Sequence, residues 1–447
     1  MQKGLREFLQ ILRENGELRE IEYPVNPLDM SAIIFKSKQA VLMPVKGYPD
    51  PVVGGIVRDR KKTALAFGCD PKELSLLVLN AIQNPIEPVM IEEGICQEVV
   101  KLGEEVNLIE FPIVFQHEQD GAPTISSAVQ FVRWGKWGLN AGMYRHMFRK
   151  KNEIGIDLNT PNDCRLFYSE ANAQGKPLEI AAAIGLYPTE LVAATYNAPT
   201  GVNEMAIAGA FRGEPVQMVK CKTINVEVPA NAEIVLECEI LPGGWIADEG
   251  RYGEFHRIAG DVKNNPIVRV KAITHRKNPI FYSLLMPDEV YGLSSPLKEA
   301  VARNVLKNAR LRPHAVRAPR GACGGFFELI ASLDHPMPGE GKTALMALMS
   351  IMGVKLVTVV DEDIDIFNDD ELRWALALRV QADKDVVIVS GAQAKHMDPT
   401  VRNDLLPPGR LPTTAKMGID ATIPPDIERR SYEKTVIFRS SEVSLPE

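Results

Sequence analysis

Glu233-Ile-Val-Leu-Glu-Cys-Glu-Ile240 runs apolar and then alternates, with Asn231 before it and Pro242-Gly243 after it. A short run of this kind, closed off by turn formers, reads as a strand packed into a core. Its neighbours have the same character. Ser126-Ser-Ala-Val-Gln-Phe-Val132, Pro215-Val-Gln-Met-Val-Lys-Cys221 and Ile267-Val-Arg-Val-Lys-Ala-Ile-Thr274 are each bounded by Gly, Pro or Asn. Residues 106–295 are therefore expected to form an antiparallel sheet or barrel, interrupted by two helix-like segments, Leu178–Ile184 and Glu204–Phe211.

On the N-terminal side the texture is mixed. Leu5, Phe8, Leu9 and Leu12 recur at the spacing of one helix face, and Gly16 supplies a stop. Pro51-Val-Val-Gly-Gly-Ile-Val57 reads as a buried strand, and Pro71–Asn84 as a helix with proline at its start. On the C-terminal side Val354-Lys-Leu-Val-Thr-Val-Val-Asp361 and Asp385-Val-Val-Ile-Val-Ser390 read as buried strands around a helix over Asp369–Gln381, a βαβ pattern. The expected class is α/β in the sense of a mixed α+β multidomain chain, divided at 1–105, 106–295 and 296–447. No internal repeat or low-complexity tract is present.

A chain of 447 residues is too long for one core. Its 45% hydrophobic and 24% charged content is that of an ordinary globular protein, and a formal charge of -7 argues against a general nucleic-acid partner. A local basic pocket for an anionic substrate remains open. The six cysteines are scattered without a Cys-x-x-Cys pair, which suits neither a zinc ribbon nor a disulfide framework. The first residues carry charges throughout and lack the apolar core of a secretion signal, and no apolar run reaches the ~18 residues of a membrane span. These features predict a cytoplasmic location, no membrane and reduced thiols.

Asn140-Ala-Gly-Met-Tyr-Arg145 and Glu249-Gly-Arg-Tyr-Gly-Glu254 place one basic and two acidic side chains in glycine-containing segments. An arginine between two carboxylates can hold one acid ionised and leave the other able to move a proton, although most such charges are plain surface pairs. Three further segments complete the pattern: Gly201-Val-Asn-Glu204-Met-Ala-Ile-Ala-Gly209, Val228-Pro-Ala-Asn-Ala-Glu-Ile-Val-Leu-Glu237 and Lys416-Met-Gly-Ile-Asp-Ala-Thr422. Taken in order, the five resemble the UbiD family of decarboxylases, which use prenylated flavin mononucleotide. The resemblance runs from about residue 5 to about residue 425.

The resemblance implies an N-terminal α/β domain, a central split β-barrel that binds the flavin, and a C-terminal α/β domain that mediates oligomerisation. The segment after about residue 425 would serve as an oligomerisation tail, in a homodimer or homohexamer. The active site would lie between the central and C-terminal domains, with a hinge to close it. The implied reaction is reversible, non-oxidative decarboxylation of an unsaturated or (hetero)aromatic acid through a covalent adduct with the cofactor, which a flavin prenyltransferase supplies. Chemistry agrees: carbon dioxide leaving an sp² carbon would leave a vinyl or aryl carbanion. No side chain is an electron sink for it, so an organic cofactor must be.

Residue by residue, the resemblance puts Glu254 on the proton donor, Glu249 on its partner and Arg145 between them. Asn140, Met143, Arg145, Glu204 and Arg379 fall on cofactor-binding positions, and Lys342 is added to them for its place at a helix start. Asn140 and Glu204 align with ligands of a divalent metal, manganese or magnesium, which carboxamide and carboxylate oxygens suit. The family's histidine ligand falls on Pro161, which has no donor. Asp157, Asn159, Asn162 or Asp163 could replace it, or the loop has lost the ligand and binds metal more weakly. A potassium ion is implied beside the phosphate, at Ala193, Ala194 and Tyr196, with Glu204 bridging both ions.

Other signals carry less. Pro336-Met-Pro-Gly-Glu-Gly-Lys342-Thr343 imitates a phosphate-binding loop but has proline where the first glycine is required. Its Gly341 and Lys342 could still meet a phosphate at a helix start. Asp361-Glu-Asp-Ile-Asp365 reads as a solvated acidic loop, and His146 and His256 as polar residues near the motifs. Arg303, His314 and Arg317 are candidates for a second anionic group of the substrate or are plain surface charges. Aromatic content of 6% offers few rings for a large polycycle. The expected substrate is thus a small polar acid, such as a furan or pyrrole carboxylate or a hydroxybenzoate. Two alternatives stay open: an archaeal-type phosphorylated aliphatic acid (anhydromevalonate phosphate), with Lys342 or Arg303 on the phosphate, or a flavin-binding subunit of a larger carboxylase complex.

Overall fold

The stripe Leu5, Phe8, Leu9 and Leu12 is buried along the helix Leu5–Glu14, as its spacing requires. That helix is tied to the chain's centre by Arg6, whose Nε and Nη2 donate to the two oxygens of buried Glu233 at 3.0 and 2.9 Å. Arg276 reaches the same carboxylate at 3.2 Å, and the Ile280 amide donates to it. Glu237, four residues on, accepts from the amides of Lys222 and Thr223. The Val228–Glu237 motif thus owes its acids to structural anchoring.

The computed structural model describes residues 3–159, 161–401 and 412–435. Two units divide the chain, Met1–Ala300 and Val301–Glu447. Among the described residues no helix is long and apolar enough to cross a membrane.

In the first unit, strands Leu18–Glu20, Ala40–Met43, Val52–Gly54 and Phe281–Tyr282 form a small mixed sheet. The large sheet holds nine strands: β1 (Val99–Leu102), β2 (Thr124–Ile125), β3 (Val129–Trp134), β4 (Gly138–Met143), β5 (His146–Lys150), β6 (Glu153–Gly155), β7 (Leu178–Ile184), β8 (Ile234–Ile240) and, after the two-stranded hairpin β9 (Ala247–Glu249) and β10 (Lys263–Asn265), β11 (Ile267–His275). Their spatial order is β2-β5-β6-β11-β8-β7-β3-β4, with β1 also on β11. All these pairings are antiparallel. Among the described strands the path runs from β2 to β4 without closing, so the mixed class holds and the sheet is open.

Leu178–Ile184 corrects the sequence reading: it is the strand β7, fully paired with β8 on one side and with β3 on the other. Three consecutive alanines favour helix intrinsically, and a seven-residue run that is apolar apart from Glu179 carries neither period. Pairing on both sides decides the matter. Glu204–Arg212 is a helix as expected, capped by the Asn203 side chain.

The second unit is a five-stranded sheet of β12 (Pro313–Arg317), β13 (Glu328–Leu333), β14 (Leu356–Asp361), β15 (Val386–Gln393) and β16 (Thr413–Ala421), in the order β12-β13-β14-β16-β15. Alternate residues of β13 and β14 feed opposite faces. Leu329, Ala331 and Val357 pack with the helix Glu340–Met349, whereas Ile330 and Val360 pack with the helix Asp369–Arg379. Here the βαβ expectation needs correcting. Parallel β13 and β14 are joined through the helix Glu340–Met349, and β15 is an antiparallel strand at the end of the sheet. It is not buried either, since Ile388 is 66% exposed. The part of the tail beyond residue 435 lies outside the described residues.

One packing contact in the first unit admits no side chain. Gly292, on the helix Asp288–Asn308, lies so close to Val57 that an added Cβ would overlap the Val57 carbonyl oxygen. Gly292→Ala is therefore expected to destabilise the chain by about 1–3 kcal/mol or more through forced backbone movement. A drop in melting temperature checks this; an unchanged midpoint would contradict it.

Candidate active site

Arg145 sits in the turn between β4 and β5, and all three of its nitrogens carry acids. Nε donates to Glu249 Oε1 at 3.0 Å and Nη1 to Glu254 Oε1 at 2.8 Å. Nη2 lies 2.7 Å from Asp157 Oδ2. The guanidinium also rests over the Tyr252 ring, 4.9 Å from its centre. Arg145, Glu249 and Glu254 are thus brought together by the fold, and Glu249 and Glu254 are buried.

The elements explain the placement. Glu249 ends β9 opposite Lys263 of β10, and Asn265 of the same hairpin donates to its second oxygen. Glu254 lies in the loop that follows, in a turn closed by its amide to Ile258 O at 3.1 Å and by the Arg257 amide to Glu254 O at 2.9 Å. Asp120 holds that loop from outside: Oδ1 accepts from the Gly253 amide at 2.9 Å, and Oδ2 accepts from the amides of Gln116 and His117. The glycines of this motif are explained by close approach. A Cβ on Gly250 would sit 2.6 Å from Gly121 Cα, and one on Gly253 would overlap the His117 ring.

Electrostatics separates Glu249 from Asp157. Burial pushes the Glu249 carboxyl up, and the nearby Arg145 charge only partly offsets it. Burial works the same way on Asp157. There the charges of Arg145 and Lys263 and the hydrogen bonds from Asn159 outweigh it and hold the carboxyl below the usual range. Burial also opposes the Arg145 charge, but Glu254, Asp157 and Glu249 together keep it firmly protonated. The arrangement fits proton transfer: a fixed cation, a fixed anion and two glutamates beside them.

Asn140 and Glu204 also meet. Asn140 Nδ2 donates to Glu204 Oε1 at 2.9 Å, and the Ala141 amide to Oε2 at 2.8 Å. Glu204 is 3% exposed, and burial pushes its carboxyl up to about 7. Of the replacements for the missing histidine, Asp157 is engaged with Arg145, and the Asn159 amide donates to Asp157 and to Asn265. Asn162 caps the helix Asp163–Ala173 and accepts from Tyr144 Oη at 3.0 Å. Asp163 accepts from Thr200 Oγ1 at 2.8 Å, and its charge is felt by Glu204. Among the described residues no cluster of three His, Cys, Asp or Glu converges as a metal site.

The remaining expectations fall as follows. Met143 ends β4, half-buried, and Ala193, Ala194 and Tyr196 lie at the end of the helix Pro188–Ala194 and just past it. Within the second unit Lys342 is exposed near the start of its helix. There Arg379 is buried, with Nη2 on Asp363 at 2.6 Å and Nη1 3.4 Å from Asp361. Asp361 is 1% exposed and also binds Arg429, so the acidic run is the anionic half of an ion-pair cluster rather than a solvated loop. Arg303 is buried and donates to the carbonyls of Pro313 and His314. His314 pairs with Asp334 at 2.8 Å, and Arg317 with Asp369 at 2.6 Å. His146 is buried with Nδ1 3.3 Å from Gly155 O, and burial lowers it to about 4, so it is a neutral core residue. His256 accepts from the Ile258 amide inside the turn.

Asp120, Asp157, Lys263 and Asn265 are the site residues that sequence reasoning missed as members of the Arg145 cluster. Lys263 and Asn265 gave no signal without the hairpin register, whereas Asp120-Gly121 is a turn-forming pair that could have drawn attention.

Comparison with known proteins places the chain among the carboxy-lyases. Models of the 3-octaprenyl-4-hydroxybenzoate carboxy-lyase match it three times: the N-terminal domain over residues 9–80, the Rift-related domain over 88–288 and the C-terminal domain over 293–421. An anhydromevalonate phosphate decarboxylase of Methanosarcina mazei is 30% identical over 437 residues, 97% of this chain and 99% of that protein. Among solved structures, the UbiD-class enzyme HmfF from Pelotomaculum thermopropionicum, in complex with FMN, superposes with a TM-score of 0.92. It is 32% identical and covers 99% of each chain. The vanillic acid decarboxylase of Sedimentibacter hydroxybenzoicus, in open form, gives 0.86 at 30% identity, over 98% of this chain and 97% of that one. The chain belongs to the UbiD family of decarboxylases.

Proposed function

We propose that the chain catalyses reversible, non-oxidative decarboxylation of a small polar unsaturated or (hetero)aromatic acid, with prenylated FMN as cofactor and Glu254 as proton donor. The observation that carries this reading is the buried Arg145 held at 2.8 Å from Glu254 and 3.0 Å from Glu249. A donor acid beside a fixed cation can release its proton and leave a stabilised carboxylate.

Asn140 and Glu204 would hold a divalent metal at the flavin phosphate, and the donor set fits: a buried carboxyl with no ion-pair partner among the described residues faces a carboxamide. Asp163 is the acid nearest in influence to Glu204 and would supply the oxygen that Pro161 cannot. Backbone carbonyls around Ala193, Ala194 and Tyr196 would take potassium. When bound, the prenylated flavin supplies the electron sink for the pair left behind as carbon dioxide departs.

Everything else falls to the chain. Glu254 delivers its proton to the vacated carbon, and Arg145 Nη1 stabilises the carboxylate that results. Glu249, fixed by Arg145 Nε and Asn265, holds the guanidinium square to Glu254 and can keep a proton of its own. In the carboxylation direction the Glu254 carboxylate takes the proton back.

The family relatives act on acids of more than one kind. The low aromatic content favours a hydroxybenzoate or a furan or pyrrole carboxylate, and the 30% likeness to the Methanosarcina mazei protein keeps a phosphorylated aliphatic acid as the second reading. The assembly would be a homodimer or homohexamer that receives its flavin from a prenyltransferase. Anaerobic protein co-expressed with such an enzyme is expected to carry prenylated flavin and manganese by native mass spectrometry. It should release carbon dioxide from at least one acid of a panel spanning these classes and incorporate deuterium at the vacated carbon. Flavin-loaded protein that turns over none of them would overturn the reading in favour of a non-catalytic subunit. Glu204→Gln should lower manganese affinity by more than about 100-fold, since partners beyond the ligands alone are worth 10–100-fold. Metal analysis after dialysis reads this directly.

A further inference from the structure

Asp157 holds the third nitrogen of Arg145, and it is neither the proton donor nor its partner. Its Oδ2 lies 2.7 Å from Nη2, the shortest of the three acid contacts, and its Oδ1 accepts the amide and side chain of Asn159 at 3.0 and 2.9 Å. Both oxygens are therefore occupied by donors that favour the anion. Lys263, across the hairpin from Glu249, stands 3.8 Å away.

Resting on the functional reading above, we propose that Asp157 is a positioning residue: it fixes the Arg145 fork and shares its charge, so that Glu249 keeps a proton that Arg145 and Lys263, facing the two glutamates alone, would strip. The geometry carries the argument. A guanidinium binding two carboxylates neutralises only one of them, and a third leaves two in excess. Lys263 offsets one, so full ionisation would leave a buried cluster one negative charge over balance. Burial makes that surplus costly, and a proton on one glutamate removes it.

The facing groups leave Asp157 as the acid that stays charged. Arg145 and Lys263 approach it from the β4–β5 turn and from β10, and Asn159 from its own segment. Glu249 comes from β9, with Asn265 on its far oxygen, and Glu254 and Tyr252 come from the loop, where the Glu254 charge reaches His256 and the Asp120 charge reaches Tyr252. Asp157 is held below the usual carboxylate range, and its charge is among the influences that raise Glu249.

Asp157→Asn keeps the shape and an acceptor for Asn159 while removing the charge. With one acid fewer, Glu249 ionises more readily, so the basic limb of the kcat–pH profile is expected to move down by about one unit. KM and flavin content should stay within about twofold. Lys263→Gln has the opposite sign, since it removes a cation, and the limb should move up. Infrared titration of the protonated-carboxyl band in flavin-free protein gives the same two shifts without turnover, and that separates this inference from the functional reading. If wild-type protein is inactive on every acid, the functional reading fails and the infrared shifts still decide the role of Asp157. Profiles and bands that superimpose on wild type in both variants, or that move in the same direction, overturn the inference. A misfolded Asp157→Asn protein leaves Lys263→Gln, at a more exposed position, to decide it.

Discussion

Glu254→Gln is expected to lower turnover by about 10²–10⁴-fold, the usual worth of a positioned proton donor, while the protein keeps its flavin and its fold. The amide matches the acid in size and can still face Arg145 Nη1, which in the wild type lies 2.8 Å from Glu254 Oε1. It cannot give up a proton, and the adjoining acid is not positioned to substitute: Glu249 is pinned by Arg145 Nε on one oxygen and by Asn265 on the other. Deuterium exchange into product is the sharpest reading, because it isolates protonation of the carbon from substrate binding. Unchanged exchange in flavin-loaded Glu254→Gln would remove Glu254 from the chemistry. Loss of exchange with an intact flavin spectrum also excludes the scaffold alternative, since a scaffold has no use for an acid.

How this site could be read in advance differs from residue to residue. Arg145, Glu249 and Glu254 were legible because they stand in two ordered motifs, whereas the close approach of the loop's glycines to Gly121 and His117 was not. Asp157 was visible only as a carboxylate in the right loop, one of four residues open as a metal ligand, and the structure sets it against Arg145. Which cation it would meet depends on the register of a hairpin, Glu249 opposite Lys263, a hundred residues away. The fold shows the same division. Helices with a one-sided stripe, such as Leu5–Glu14, follow from spacing alone. Leu178–Ile184 did not, because a short apolar run has no period to read, and for Val386–Gln393 the strand was legible but not its exposure. The first is buried by partners on both sides, whereas the second ends its sheet.

Replacing Arg145 with leucine should be the most destabilising change in the site, by about 3–5 kcal/mol at neutral pH, because it leaves buried acids without their cation. The loss should depend on pH, and its sign can be worked out. In the wild type Asp157 is held below its ordinary range, so its contribution is present above the unfolded value and fades as pH falls through the folded one. In the variant, burial acts on Glu249, already raised in the wild type, without the Arg145 charge against it, so folded Glu249 binds its proton more tightly than in the unfolded chain. Stability of the variant therefore falls as pH rises through that window. The Asp157 contribution is already complete by about pH 5, so between about pH 5 and pH 8 the gap widens through Glu249 alone: it is smallest near pH 5 and widest near pH 8. Melting temperatures of flavin-free protein at the two pH values measure it. A gap that is large and equal at both would mean that Arg145 contributes packing against Tyr252 rather than charge. Arg145→Lys completes the test, since one ammonium cannot reach three acids at 2.7, 2.8 and 3.0 Å as the fork does. It should recover part of the stability and little of the turnover.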